Sequence, residues 1–179
     1  MPPPRTRNPG CGALSTGPAN TSYRPLIRNN RDLTEKQTAG ILGNFQQESR
    51  FSPTNAQQIA GKYSKPDDSS DYVYRVNDSV GWGIAQWTEE SRKQNLLNYA
   101  IEKGTGVGDM NTQLEFVCKE LNENSKYYMF DKIKQSDDIE KITEMFMMRY
   151  ENPDDKSQAA IDARIKNAKN IYSELGQGQ

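Results

Sequence analysis

The feature that most constrains the fold is a series of stretches in which a capping residue precedes apolar residues at helical spacing. The clearest one begins at a capping box, Thr34-Glu35-Lys36-Gln37. Ile41, Phe45 and Glu48 follow at spacings of four and three, which places them on one helical face. Pro53 then marks the exit from this helix. The pattern predicts a helix whose apolar face also carries an acid.

Further helical stretches follow downstream, separated by an insert of different character. They are a helix capped by Thr88 and ended by Gly104, a helix opened by a capping box at Thr112, a helix from Asp137 to Pro153, and a last helix with the stripe Ile161, Ile165, Ala168, Tyr172 and Leu175. Within the polar stretch 54–80, Tyr72, Tyr74 and Val76 alternate with other residues, as in a strand. The sequence therefore predicts a mainly α domain with a small β-hairpin-like insert.

Composition favours one folded domain with a tail. The chain has 179 residues, long enough for a sizeable core. Residues 1–23 are rich in Pro, Gly, Ser, Thr and Asn, which is typical of a linker. We therefore expect a flexible segment over 1–23 and a folded domain over 24–176.

Charge and residue usage exclude several classes of function. The formal net charge is -1, and Lys and Arg are scattered, so neither nucleic-acid binding nor an anionic membrane surface is indicated. The chain has no histidine, which excludes Ser-His-Asp and Cys-His hydrolysis and histidine-bearing zinc sites. No calcium-loop spacing is present either, so no metal or other cofactor is expected. For an enzyme of this composition, carboxylates are the natural proton carriers.

The two cysteines and the chain start add little to the functional prediction. Cys118 lies on an apolar helical stripe and is expected to be a buried thiol, whereas Cys11 lies in the tail. A disulfide between them is an open alternative. No stretch is apolar enough to span a membrane, and the start has no hydrophobic signal region. Membrane insertion is not expected.

Glu48 is the strongest candidate for chemistry. An acid held against apolar side chains has its charged form disfavoured, so its pKa rises and it can keep a proton near neutral pH. Such a group can protonate the leaving oxygen of a sugar. The alternative is an ordinary ion pair with Arg50 or Arg75.

A second candidate region is the glycine-rich turn Gly81-Trp82-Gly83-Ile84-Ala85-Gln86-Trp87. Glycines allow close backbone approach or a positive φ, and indole rings can stack on sugar faces. We expect Trp82 and Trp87 to divide between core and cleft, with Trp87 at the cleft. A second carboxylate could come from the insert. Asp71 and Asp78 are the preferred candidates, ahead of Asp67 and Asp68, although each is also explained as a loop aspartate.

The order of these motifs resembles one known family. The matching residues are Gly43-Asn44-Phe45-Gln46-Gln47-Glu48-Ser49-Arg50-Phe51-Ser52-Pro53, Gly83-Ile84-Ala85-Gln86-Trp87, Phe146, Tyr150-Glu151-Asn152-Pro153 and Arg164. Over residues 25–175 the chain resembles the phage tail lysozymes of the lysozyme-like superfamily, which are related to goose-type lysozymes and soluble lytic transglycosylases. The resemblance implies an α+β lysozyme-like fold in which the insert forms one wall of a sugar cleft.

The resemblance also implies an activity and a set of site residues. The activity is cleavage of the β-1,4 bond between N-acetylmuramic acid and N-acetylglucosamine in peptidoglycan. Glu48 matches the catalytic acid, and the positions matching substrate-side residues are Ser49, Gln86, Trp87 and Tyr150. The stretch between Pro53 and Gly81 is longer than in the family, so no second carboxylate is carried over.

Three functions remain open at this point. The first is a muramidase that helps a phage tail or a similar machine to penetrate the wall. The second is a lytic transglycosylase of the same fold, which uses one acid and forms an anhydro-sugar. The third is a non-catalytic peptidoglycan-binding or structural module. The expected partners are glycan strands and, through the linker, other tail proteins, with the protein placed in the virion tail or at the cell wall.

Overall fold

The computed structural model describes residues 33–57, 72–123 and 129–176. Six α-helices lie within these ranges: α1 (Glu35–Ser49), α2 (Glu90–Lys103), α3 (Met110–Glu123), α4 (Phe130–Lys134), α5 (Ile139–Phe146) and α6 (Gln158–Gly176). A π-helical turn, Met147–Glu151, continues α5. The prediction of a mainly α fold is confirmed.

Helix α1 is the central element, and its predicted start is confirmed. The Thr34 hydroxyl accepts from the Gln37 backbone N–H, and the Gln37 side chain accepts from the Thr34 backbone N–H. Helix α1 packs against α5 and α6. A Cβ on Gly43 would lie 2.7 Å from the Arg164 carbonyl oxygen, so glycine is needed where α6 crosses α1. This close approach brings Arg164 to the end of α1 that carries Glu48.

Three predicted helix starts need correction. Glu89, not Thr88, is the N-cap of α2, because the Thr88 hydroxyl donates to the Gln86 carbonyl oxygen. Helix α3 begins at Met110, so Thr112 lies inside it and does not form a capping box. Asp138 caps α5 through the backbone N–H groups of Glu140 and Lys141, one residue after the predicted start at Asp137.

The predicted end of α2 and the predicted burial of Cys118 are confirmed. Gly104 ends α2 in the left-handed conformation. The thiol-bearing Cys118 is buried on α3 as expected. Cys11 and the expected linker, residues 1–23, lie outside the described residues, as does most of the insert.

The predicted β-hairpin is not confirmed. Among the described residues, backbone pairing of the β type is limited to isolated bridges joining Trp82 to Ala56 and to Trp87. The alternation at Tyr72, Tyr74 and Val76 matches burial on one side, since the residues between them are exposed. The rings of Tyr72 and Tyr74 lie 5.3 Å and 5.6 Å from the Trp82 ring. This segment therefore packs on an aromatic ring and has no strand partner in the described part of the chain.

One apolar core joins the helices to the Gly81–Trp87 turn. Its buried members include Phe45 of α1, Trp87 of the turn, Phe116 of α3 and Phe146 of α5. No helix in the described ranges is both long and apolar enough to cross a bilayer.

Candidate active site

Glu48 lies on the last turn of α1, and its side chain is 18% exposed. Nη2 of Arg164, on α6, donates to Oε1 of Glu48. Arg164 is itself almost fully buried, with Nη1 on the Ala160 carbonyl oxygen at 3.0 Å. Glu48 therefore forms an ion pair, as one sequence-based alternative expected, but its partner is Arg164 and not Arg50 or Arg75.

A polar groove of about 720 Å³ runs past Glu48. Its walls are formed by the segment 55–57, the Gly81–Trp87 turn, the start of α2, and residues 149–154. A second cavity of about 420 Å³ lies along α6, and Glu48 and Pro153 line both. Glu48 thus contributes to the lining of both spaces.

The Gly81–Trp87 turn, which lines the groove, is held by contacts with Gln113 and Ser49. Gly83 has a φ of 76°, and a Cβ there would lie 2.5 Å from Oε1 of Gln113, so the position requires glycine. The same Gln113 oxygen accepts from the Ile84 N–H at 2.9 Å. The Ser49 hydroxyl donates to the Ile84 carbonyl oxygen at 3.0 Å. Helix α1 and the turn are thereby joined directly after Glu48.

A buried carboxylate supports the groove floor. Glu120 of α3 accepts from Arg92 Nε and Nη2, both at 2.8 Å, from Trp87 Nε1 at 3.0 Å and from the Tyr150 hydroxyl at 2.5 Å. We call Glu120, Arg92, Trp87 and Tyr150 the Glu120 cluster. Burial and the neighbouring Glu120 charge raise the pKa of Tyr150, so this tyrosine is a hydrogen-bond donor and not a proton carrier.

A second carboxyl group, Glu151, faces the groove beside Glu48. It ends the π-helical turn, after which Asn152 takes the left-handed conformation with φ 48°. Its Oε1 is buried and has no hydrogen-bond partner in the described residues. Burial raises the pKa of Glu151 well above its ordinary value, the Glu48 charge adds to the rise, and Arg92 and Arg164 oppose it.

The structure separates the predicted site residues into two groups. Glu48, Gln86 and Tyr150 line the groove. Ser49 and Trp87 lie beneath it, and the Trp87 ring is 0% exposed. The expectation that Trp87 stacks on a sugar is wrong for this structure, because its ring is enclosed and its N–H is bound to Glu120.

None of the insert aspartates predicted as a second carboxylate is found on the groove lining in the described residues. Asp67, Asp68 and Asp71 lie outside the described residues. Asp78 is away from the groove lining, and Lys93 Nζ donates to its Oδ1 at 2.5 Å. Tyr72 and the Val80 N–H also donate to Asp78. It therefore holds the segment 72–80 against α2.

Sequence reasoning missed Glu151, Arg92 and Glu120 as parts of the site. Glu120 carried a usable signal, since it follows Phe116 and Val117 at spacings of four and three, the same signal that identified Glu48. Glu151 had no such signal, because the π-helical turn changes the direction of its side chain relative to an ordinary helix.

A mainly helical domain is consistent with a lysozyme-like fold. The family model for phage tail lysozyme matches residues 20–175, and the chain belongs to this family. The expected resemblance is confirmed.

A curated relative gives a more distant comparison. Morphogenesis protein 1 of Bacillus phage B103 is 25% identical over 134 residues, which is 72% of this chain and 32% of the relative. The chain thus spans about a third of the length of that protein.

Proposed function

We propose that this chain is a muramidase domain that cleaves the β-1,4 bond between N-acetylmuramic acid and N-acetylglucosamine, with Glu48 as the proton donor. The observation that carries the proposal is the position of Glu48 on the lining of both the groove and the neighbouring cavity. A glycan chain lying in the groove would place a glycosidic bond beside this residue.

The reaction needs three things from the site. A proton must reach the leaving oxygen as the bond breaks, the oxocarbenium-like carbon must be stabilised, and a nucleophile must reach that carbon. Glu48 supplies the first, and the acidic residues Glu89 and Asp154 of the groove lining favour positive charge at the reacting carbon. The groove volume of about 720 Å³ leaves room for a water molecule to act as the nucleophile.

Sugar recognition is assigned to the groove walls. The Gln86 side-chain amide is anchored by the Gly83 carbonyl oxygen at 2.8 Å and the Asn55 carbonyl oxygen at 3.3 Å. This leaves its own carbonyl oxygen to accept from a sugar hydroxyl or an N-acetyl N–H. Tyr150 borders the groove but is only 2% exposed, and its hydroxyl stays on Glu120, so it supports the wall from within. Ser49 and Trp87 act through the positions of the turn and floor.

The biological setting follows from the family and the relative. We propose that the domain cuts peptidoglycan locally for a phage tail or a related wall-penetrating machine. The relative is described as a morphogenesis protein and is about three times as long as the matching region, which supports a module within a larger assembly.

The experiment that tests the activity is replacement of Glu48 with Gln. Glu48→Gln keeps shape and removes the transferable proton, so turnover on purified peptidoglycan should fall on the order of a hundredfold or more. Glu144→Gln, the same change at an exposed position of α5, is the matched control and should leave turnover unchanged. Melting temperatures and sedimentation with peptidoglycan establish that the variant folds and still binds.

The products decide between the open alternatives. Hydrolysis yields muropeptides with a reducing sugar, whereas a transglycosylase yields products lighter by one water. A wild-type chain that binds peptidoglycan without cutting it at any pH from about 4 to 8, a range that spans carboxyl titration, would identify a binding module. A Glu48→Gln variant with wild-type turnover would contradict the assignment of the proton donor.

A further inference from the structure

Among the carboxyl groups that line the groove, Glu151 is the one with a buried oxygen that no hydrogen bond satisfies in the described residues. Oε1 is buried without a hydrogen-bond partner in the described residues, although the residue as a whole is partly exposed on the groove lining. Buried polar atoms are nearly always hydrogen-bonded, and an exception at a groove points to a ligand or to a proton-transfer role. Nε of Arg164, the arginine paired with Glu48, is a second buried atom without a partner at this end of the groove.

The backbone at Glu151 is also unusual. The residue closes the π-helical turn, in which the Asn152 N–H donates to the Met147 carbonyl oxygen at 2.7 Å. Single π-helical turns are uncommon and are found frequently at functional sites. Here the turn directs an acid into the groove that Glu48 also lines, while Tyr150, one residue earlier, is directed to Glu120.

We propose that Glu151 is a second catalytic carboxyl group, which exchanges a single proton with Glu48 during bond cleavage. The inference rests on the proposed muramidase reaction. It answers a difficulty in that reaction, because the proposed donor Glu48 is ion-paired with Arg164, whereas a donor must carry a proton.

The charged groups around Glu151 come from four elements. Glu48 of α1 and Glu120 of α3 disfavour a negative charge on Glu151, while Arg92 of α2 and Arg164 of α6 favour it. Burial outweighs the two arginines and raises the pKa of Glu151. The surroundings therefore favour a proton on Glu151, beside Glu48 on the groove lining.

The proton balance of the step is simple. As the bond from the muramic acid C1 to the glycosidic oxygen breaks, its electron pair stays on the oxygen, which takes the proton of the pair by way of Glu48. Water then adds to C1, and the proton that it releases returns to the pair. If a sugar hydroxyl adds in place of water, its proton returns in the same way, so the pair serves hydrolysis and transglycosylation alike.

The pH profile of the Glu151→Gln variant tests this proposal. Gln cannot supply a proton, and Glu48 is then left with Arg164, so turnover at pH 7 should fall on the order of tenfold or more. The loss should shrink toward acidic pH, where solvent protons replace the proton that Glu151 supplied, which moves the optimum to lower pH. Glu144→Gln is again the matched control. A Glu151→Gln variant with an unchanged profile, or with an equal loss at every pH, overturns the proposal.

Two measurements that do not depend on turnover test where the proton resides. Wild-type protein at pH 7 should show an infrared band of a protonated carboxyl group that Glu151→Gln lacks. Because folding raises the pKa of Glu151 above its ordinary 4.5, its contribution to stability is complete below that value and is lost as pH rises. The melting temperature of wild type relative to Glu151→Gln should therefore decrease as pH rises from about 4.5 toward 8. The proposal is overturned if wild type lacks the band, or if the difference in melting temperature between wild type and Glu151→Gln stays constant with pH.

The outcomes separate this inference from the proposed function. An active wild type, an inactive Glu48→Gln and a Glu151→Gln profile like that of wild type would overturn the Glu151 assignment and leave the muramidase intact. A wild type without wall cleavage overturns the proposed function, and with it the catalytic role of Glu151.

Discussion

Glu120 accepts from the Tyr150 hydroxyl and Glu151 follows Tyr150 in the chain, and the two acids illustrate two uses of a buried carboxyl oxygen. Glu120 accepts four hydrogen bonds from the three other residues of its cluster, so its charge is compensated where it stands. Glu151 has a buried oxygen without a partner, and its charge is opposed by Glu48. A satisfied buried carboxylate fixes geometry, whereas an unsatisfied one at a groove is available for chemistry.

The same contrast separates Trp87 from Trp82. Both indole rings are buried in the turn, but Trp87 donates to Glu120 while Nε1 of Trp82 is buried without a partner in the described residues. Trp87 therefore belongs to the polar support of the groove floor. Trp82 acts as an apolar surface for Tyr72 and Tyr74.

The largest expected effect comes from removing the centre of the Glu120 cluster. Glu120→Ala leaves the largely buried Arg92 without its carboxylate, and breaking such a pair costs about 3 to 5 kcal/mol of unfolding free energy. Glu123→Ala, on the same helix, removes only an exposed pair with Lys119 and should cost about 0 to 1 kcal/mol. Urea unfolding measures both. Similar costs for the two variants would show that the cluster is not a structural support.

A smaller loss of unfolding free energy is expected when either tryptophan is replaced with phenylalanine. Trp87→Phe removes a hydrogen bond to a charged acceptor, whereas Trp82→Phe removes the same ring area without a hydrogen bond. Trp87→Phe should therefore be the more destabilising, by about 1 to 3 kcal/mol in chemical denaturation. Equal losses would mean that packing alone decides the role of Trp87.

The smallest effect is expected from Tyr150→Phe. This change keeps the ring in the groove wall and removes one of the four donors to Glu120, at a cost of about 1 to 2 kcal/mol. Because the hydroxyl faces Glu120 and not the sugar, turnover of the folded variant should fall by less than about tenfold, below the usual range for a proton-transfer group. A larger loss of turnover, with KM unchanged, would place the Tyr150 hydroxyl in the reaction.

Much of the fold follows from local patterns in the sequence. The capping box at Thr34, the end of α2 at Gly104 and the burial of Cys118 were all predicted from short-range spacing. The starts of α2 and α3 were not, because Thr88 and Thr112 make other contacts that local rules do not foresee. Thr88 bonds the Gln86 carbonyl, and the Thr112 hydroxyl bonds Asp109, whose Oδ1 also accepts from the Thr112 backbone N–H within the first turn of α3.

The insert shows where periodicity misleads. Alternation at Tyr72, Tyr74 and Val76 predicts which side chains face inward, and the structure agrees with that burial. It does not specify the partner, because a ring such as that of Trp82 and the side chain of a buried lysine can cover an extended segment as a neighbouring strand does. Lys93, 0% exposed and bound to Asp78, Tyr72 and the Val80 carbonyl oxygen, holds this segment.

For the candidate site, the sequence by itself determined that Glu48 shares a helical face with the apolar Ile41 and Phe45, since this depends on spacing within a few residues. Tertiary structure alone decided which distant groups surround that acid. Arg164 reaches Glu48 because α6 crosses α1 at Gly43, and Glu151 enters the groove because a π-helical turn continues α5. Charges more than a hundred residues apart in the chain meet only after the helices have packed, and together with burial they shift the pKa of Glu151.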